Sequence, residues 1–224
     1  MMREEVDGMK ETYRTIARRG ADEFIVNKSR FIGYAGPVTT EDQALEFIQE
    51  IKTKHKDATH NVSAYVLGLD SNIQRFNDDG EPSGTAGIPA LEVLKKEDLR
   101  NTVVVITRYF GGIKLGGGGL IRAYTKGAKI AIEASVMVTM EKFSLLRMAI
   151  SYTAYGKVEN YFMENGYVPE KVDYLQDVNI EMYVKNEHLD RFLGDMLDMT
   201  SGDLDHTIVE EKYLPVKDGV RWRE

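Results

Sequence analysis

Six of the thirteen residues from Arg108 to Leu120 are glycine, in the run Arg-Tyr-Phe-Gly-Gly-Ile-Lys-Leu-Gly-Gly-Gly-Gly-Leu. The run separates a buried-strand signal, Thr102-Val103-Val104-Val105-Ile106, from a helix signal, Leu120-Ile121-Arg122-Ala123-Tyr124-Thr125-Lys126-Gly127-Ala128. Glycine costs conformational entropy, so so dense a run needs a reason. Either the backbone takes angles closed to other residues, or something approaches it closely. A glycine-rich strand-to-helix turn aims backbone N–H groups and a helix N-terminus at one point, which suits an anion. Tight helix-on-sheet packing accounts for glycine equally well. Two common nucleotide patterns fail. Gly112 and Gly117 have the Walker A spacing but are followed by Gly118-Gly119 instead of Lys-Ser/Thr, and the G-x-G-x-x-G frames end on Ile121 or Arg122.

The charge pattern favours the anion. Residues 100–132 carry six cations (Arg100, Arg108, Lys114, Arg122, Lys126, Lys129) and no Asp or Glu, in a chain of net charge −7. The flanking stretches are acidic, −5 over 1–99 and −8 over 133–224. A positive patch on an acidic protein focuses an anionic ligand, although a solvated helix face leaves the same trace. The acidic balance argues against wholesale coating of nucleic acid. The absence of cysteine excludes disulfides, thiolate nucleophiles and Cys-ligated metal sites, and fits a reducing cytoplasm. No apolar h-region opens the chain, and no apolar run reaches the ~18 residues of a membrane span. The expectation is a cytoplasmic protein without a membrane partner.

The pattern predicts an α+β chain in two domains. In the first, 13–38 reads as a hairpin turning at Arg19–Asp22. Thr40 and Gln43 form a capping-box signal for a helix over 41–55, with Ala44, Leu45, Ile48 and Ile51 inward. Strands are expected over 62–69, 73–76 and 102–107, a short helix from Pro89, and a long one over 117–135. From about 139 a second pattern begins. It runs strand 143–154, helix 155–164 closed by Asn165-Gly166, strands 167–175 and 178–184, helix 188–199 and strand 204–213. That β-α-β-β-α-β order is a ferredoxin-like plait. The boundaries expected are 1–138, 139–216 and a peripheral tail, 217–224.

A second segment, Asp78-Asp79-Gly80-Glu81-Pro82-Ser83-Gly84-Thr85-Ala86-Gly87, makes a poor strand and a poor helix. Its carboxylates could hold magnesium, cap helix N-termini, or pair with Arg108 and Arg122. His60, in Ala58-Thr59-His60-Asn61, supplies with Ser83 or Thr85 and Asp79 the residue types of a hydrolase, but nothing fixes their geometry, and hydrogen bonding within its loop is the stronger reading. No zinc-ligand spacing of histidines is present.

Together these segments resemble the YigZ/IMPACT family. The likeness rests on Ala58–Asn61, Asp78–Gly87 and Thr107–Tyr124, with Lys28-Ser29-Arg30-Phe31-Ile32 in addition, and spans roughly 13–135. It implies an N-terminal β-α-β domain like domain 2 of a small-subunit ribosomal protein, and a C-terminal ferredoxin-like domain as in bacterial members. It also implies a tie to translation, because eukaryotic relatives regulate translation by competing for a kinase activator. No catalytic residues come with the resemblance.

The expected function is therefore translation-associated regulation, through binding of RNA, the ribosome or a translation factor, with no cofactor. The binding residues expected are His60, Asp78, Asp79, Glu81, Ser83, Thr85, Arg108, Tyr109, Lys114, Gly117, Gly118, Arg122, Tyr124 and Lys126. His60, Asp79, Glu81 and Arg108 should share one surface. The alternative is a metal-dependent enzyme acting on a phosphorylated small molecule, with Asp78, Asp79 and Glu81 holding magnesium. The sequence leaves the oligomeric state open.

Overall fold

The computed structural model describes residues 12–223. The chain divides into two units, 12–140 with 215–223 and 141–214.

The first unit is built on Val103–Ile106, which alternate between two cores. Val103 and Val105 face one, and Val104 and Ile106 the other. This is the two-sided burial that a continuous apolar strand predicts. Their strand, β6 (Thr102–Tyr109), is central to a sheet of order β2-β3-β6-β4-β5, with β2 (Gly20–Val26), β3 (Ser29–Pro37), β4 (His60–Leu67) and β5 (Ile73–Asn77). Every neighbouring pair is antiparallel. Helix α1 (Glu41–Lys54) covers one face. Helices α2 (Gly87–Lys96) and α3 (Gly117–Ala134) cover the other.

A variant of the capping box forms, in which the glutamine reaches the residue before the cap. Gln43 N–H donates to Thr40 Oγ1 at 3.2 Å, and Gln43 Oε1 accepts from Thr39 N–H at 2.8 Å. Leu45, expected inside, is 55% exposed, and Phe47 takes its place in the core. The positions 44, 47, 48 and 51 make the true helical stripe, and 45 falls out of phase with it.

The hairpin of 13–38 is displaced. The turn expected at 19–22 is instead the start of β2, and the hairpin β2–β3 turns at Asn27 and Lys28. Both have positive φ, 46° and 59°, as a two-residue primed turn requires. Strand β1 (Thr12–Ile16) stays outside this hairpin: Ala17 N–H donates to Val136 O at 2.7 Å, and Arg14 bridges Leu99.

The second unit is a ferredoxin-like plait of β7 (Met137–Ile150), α4 (Tyr152–Asn165), β8 (Lys171–Tyr174), β9 (Val178–Lys185), α5 (Leu189–Met199) and β10 (Asp205–Lys217), with sheet order β10-β7-β9-β8. Its core packs Leu146, Met148, Ile150, Ile180 and Met182 under Val158, Phe162, Phe192 and Met196. Helix α4 ends as expected, on Gly166 at φ 71°. The first strand stops at Ile150, earlier than 154, because Ser151 serves as the N-cap of α4. The strand expected over 167–175 shortens to four residues. The tail adds a short strand at the edge. Val220–Arg221 form β11 against the end of β10, Trp222 N–H donates to Pro215 O at 2.8 Å, and the segment belongs with the first unit.

Candidate functional site

In the antiparallel register Arg108 lies opposite Phe31 on one side and His60 on the other. Their side chains share the face covered by α2 and α3, because directly opposed residues point the same way. Over this row comes Glu81, from the 78–87 loop. Arg108 Nη1 donates to Glu81 Oε1 at 2.6 Å, and Tyr124 OH from α3 donates to the same oxygen at 2.6 Å. His60 Nε2 stands 3.7 Å from it. Glu81 and Arg108 are buried to 3% and 6% side-chain exposure. The Arg108 guanidinium lies over the rings of Phe31 and Phe110, at 5.4 and 5.3 Å. Burial, and then the bond to Glu81, raise the Tyr124 phenol far above its ordinary value, which keeps it a proton donor.

His60, Asp79, Glu81 and Arg108 therefore come together, but by structural bonds. His60 Nδ1 pairs with the backbone oxygen of Asp79 at 2.8 Å. The Asp79 carboxylate accepts from Asn61 N–H at 2.6 Å and from Lys52 Nζ at 2.7 Å. Asp78 caps α2 from a distance, accepting from Gly84 N–H at 3.0 Å and Gly87 N–H at 2.7 Å. The three carboxylates thus serve three separate bonding sets. Among the described residues no group of three His, Asp or Glu is placed to hold a metal ion. The Thr85 hydroxyl donates to Pro82 O at 2.7 Å and His60 pairs with the Asp79 backbone, and among the described residues no hydrogen bond joins His60 to Ser83 or Thr85.

Tyr109 points to the opposite face from Arg108, as consecutive strand residues must. Its hydroxyl pairs with His55 Nδ1 at 2.9 Å, and Tyr34 OH holds the other ring nitrogen at 2.6 Å. Burial, then the charges of Lys54 and Arg30, lower the His55 imidazole below its ordinary value.

The glycine run divides by role. Its start is pinned: Phe110 N–H donates to Thr59 Oγ1 at 3.0 Å and Gly111 N–H to Ser29 Oγ at 3.1 Å. A Cβ on Gly111 would overlap the Lys28 carbonyl, so the primed turn of the hairpin needs glycine there. Gly112 and Gly116 hold positive φ, 85° and 71°. Gly117 and Gly118 meet neither constraint. They are exposed, and a Cβ on either would find only ordinary contacts, at 4.0 Å from Thr85 and 3.7 Å from Arg122. They open α3, whose N-cap Gly116 supplies no side-chain bond.

The acid-free window divides as well. Arg100 and Arg108 are buried and paired with Asp98 and Glu81, so Arg108 is not part of an exposed basic face. Lys114, Arg122, Lys126 and Lys129 are exposed and form no ion pair among the described residues. Phe110, Ile113 and Ile121 are exposed on the same loop and helix. Sequence reasoning missed Lys52, Asn61 and Thr107, which anchor Asp79 and its neighbours; Thr107 Oγ1 donates to Asn61 Oδ1 at 2.7 Å. It also missed Phe24, over whose ring Lys126 Nζ sits at 4.5 Å. The alternation of Phe24 with exposed neighbours in β2 was the available signal.

Residues 27–132 match the profile of the Impact N-terminal domain, and residues 148–203 that of a domain of unknown function (DUF1949). The chain is 45% identical to the IMPACT family member YvyE of Bacillus subtilis, over 92% of this chain and 95% of the relative. It is 30% identical to the IMPACT family member YigZ of Escherichia coli, over 83% of this chain and 92% of the relative. Among solved structures it is similar to the crystal structure of a hypothetical protein, with a TM-score of 0.58 and 28% identity over 90% of this chain and 98% of that one.

Proposed function

Because the chain belongs to the IMPACT family, we propose that it is a cytoplasmic regulatory protein of translation that binds RNA, free or within the ribosome, through the basic face of α3 and the glycine loop. One observation carries the reading. Four exposed cations, Lys114, Arg122, Lys126 and Lys129, follow one another on the glycine loop and α3 with no carboxylate in the chain between them, and form no ion pair among the described residues. Unpaired Lys and Arg gain most from phosphate, since binding releases the counterions of the nucleic acid and breaks no internal bond. The free N–H groups opening α3 add donors suited to a phosphate oxygen. The carboxylates of the 78–87 loop, tied into internal bonds, leave this face with little to repel a polyanion.

Filter binding of RNA at two salt concentrations tests this, with melting temperature measured alongside. The Lys114→Gln/Arg122→Gln protein should melt normally, bind more weakly and lose roughly one unit of log–log salt slope per lost phosphate contact. Normal melting with unchanged affinity and slope would remove the RNA reading.

A translation factor is the second partner this reading admits. An apolar groove of about 390 Å³ between α2 and α3, lined by Ile88, Pro89, Val93 and Ile121, favours it. Capture of a ribosome-free factor that survives nuclease, and is lost on Ile88→Ser/Ile121→Ser, is the corresponding test.

A further inference from the structure

Beside the basic face lies a second cavity, of about 360 Å³, whose lining includes Phe24, Ile25, Asn27, Arg122 and Lys126. We infer that this cavity receives one unstacked base of a single-stranded RNA, with Arg122 and Lys126 holding the phosphates beside it. The inference rests on the RNA reading above and narrows it to a strand whose bases are free.

The lining argues for the occupant. Its volume is within the ~300–1,000 Å³ of small-ligand sites. It contains no carboxylate, and its two cations have no ion-pair partner among the described residues, so its charge complements a phosphodiester. The α2–α3 groove, by contrast, carries Glu92 and Glu97 in its wall. The remaining wall is apolar and aromatic. Phe24 stacks on Phe31 at 5.2 Å and 8° and carries Lys126 Nζ over its ring at 4.5 Å, and Phe31 meets Tyr124 edge-on at 5.4 Å, so fixed rings back the pocket and hold one of its two cations in place. Ile25 is 70% exposed at the rim. Such an apolar wall gains nothing from a duplex, whose bases are already stacked and whose outer surface is phosphate. It gains from a base that has left its stack. Asn27, held at φ 46° in the hairpin turn, is part of the lining, and its side-chain amide carries both donors and an acceptor, the equipment that meets a base edge.

Fluorescence anisotropy separates this proposal from the one it rests on. The probes are a labelled 12-nucleotide RNA, the same RNA annealed to its complement, the matching single-stranded DNA, a mononucleotide, and an acidic peptide containing leucine. The wild-type chain should bind the single strand at least tenfold more tightly than the duplex. Ile25→Ser removes an exposed apolar group from the edge strand. It should weaken the single strand by roughly tenfold and leave the duplex unchanged. Asn27→Asp keeps the shape and tolerates positive φ, so it serves as a second variant should Ile25→Ser melt early. It should weaken single-strand binding by a similar factor. Equal binding of strand and duplex, or Ile25→Ser and Asn27→Asp proteins that bind the strand as the wild type does, would overturn the pocket and leave the basic face standing. Binding of the mononucleotide alone, or of the peptide in place of RNA, would also overturn it. A wild-type chain that binds neither RNA form at low salt would remove the RNA reading itself. The DNA arm supports the proposal at equal or weaker affinity than RNA and overturns it if DNA is clearly preferred.

Discussion

Arg108 and Glu81 form a charge pair at 2.6 Å with both side chains almost wholly buried. Twenty-seven positions separate them in the chain. The pair closes the 78–87 loop over the end of the sheet, and Tyr124 ties α3 to the same oxygen. One carboxylate thus joins a loop, a strand and a helix. Taking two charges out of water is costly, and removing one partner leaves the other uncompensated. Glu81→Ala should therefore lose about 3–5 kcal/mol in urea unfolding. Tyr124→Phe, which removes one hydrogen bond to a charged group, should lose about 1.5–3 kcal/mol. The double variant should lose less than the two added together, because both act on Oε1. Strict additivity would show that the pair and the phenol are not one network.

Asp78 holds three N–H groups of the 78–87 loop and of the first turn of α2, at Gly84, Ala86 and Gly87. It does the work of an N-cap although it lies eight positions before Ala86. Asp78→Ala should cost about 1–2 kcal/mol, the usual loss for a cap. It should also speed hydrogen exchange at Gly84 and Gly87 beyond that of β6. Unchanged exchange at both amides would contradict the capping role.

Much of this was legible in the chain. The two-sided core of β6, the long helices and the plait order followed from apolar periodicity, and the capping box at Thr40 from two residues. The gathering of His60, Glu81 and Arg108 followed from polar residues flanking successive strands. The parts that escaped share a cause. The turn at Asn27-Lys28 depends on a lysine at positive φ, which Gly111 accommodates from 83 residues away. Local turn chemistry at Arg19-Gly20 was the stronger signal and the wrong one. The fate of Arg100 escaped for a similar reason: a window without acids looks exposed and basic, but its partner, Asp98, comes from outside the window. Pairing of Arg108 with a carboxylate of the 78–87 loop was among the readings the sequence left open, and Glu81 supplies it.

The His55 imidazole gives the fold a pH dependence. Its value is lowered in the folded chain, so the unfolded chain binds the proton first as pH falls. The stabilising contribution is fully present above the unfolded value, about 6.5, and is lost as pH drops from there through the lower folded value. The melting temperature of the wild type relative to His55→Gln should accordingly fall between pH 7.5 and 5. A difference that stays constant over that range would place the pH dependence elsewhere.

The glycines provide the sharpest contrast between fold and function. Gly33 lies under α3, and a Cβ there would overlap the Gly127 carbonyl, so the helix could not seat on β3. Gly33→Ala should cost about 1–3 kcal/mol or more by overpacking. Gly117 and Gly118 sit in the first turn of α3 with room for a methyl group and with no positive φ to preserve. There, alanine is the better helix former by about 0.8–1 kcal/mol, and it restricts the unfolded chain. The Gly117→Ala/Gly118→Ala protein should therefore melt at the wild-type temperature or above it. If these residues serve phosphate approach, the same protein should bind RNA several-fold more weakly, since each methyl group crowds the free N–H groups that open the helix. Stability gained with affinity lost is the expected pair of results. A gain in stability with unchanged RNA affinity would detach the opening turn of α3 from binding and leave Lys114, Arg122, Lys126 and Lys129 to carry it.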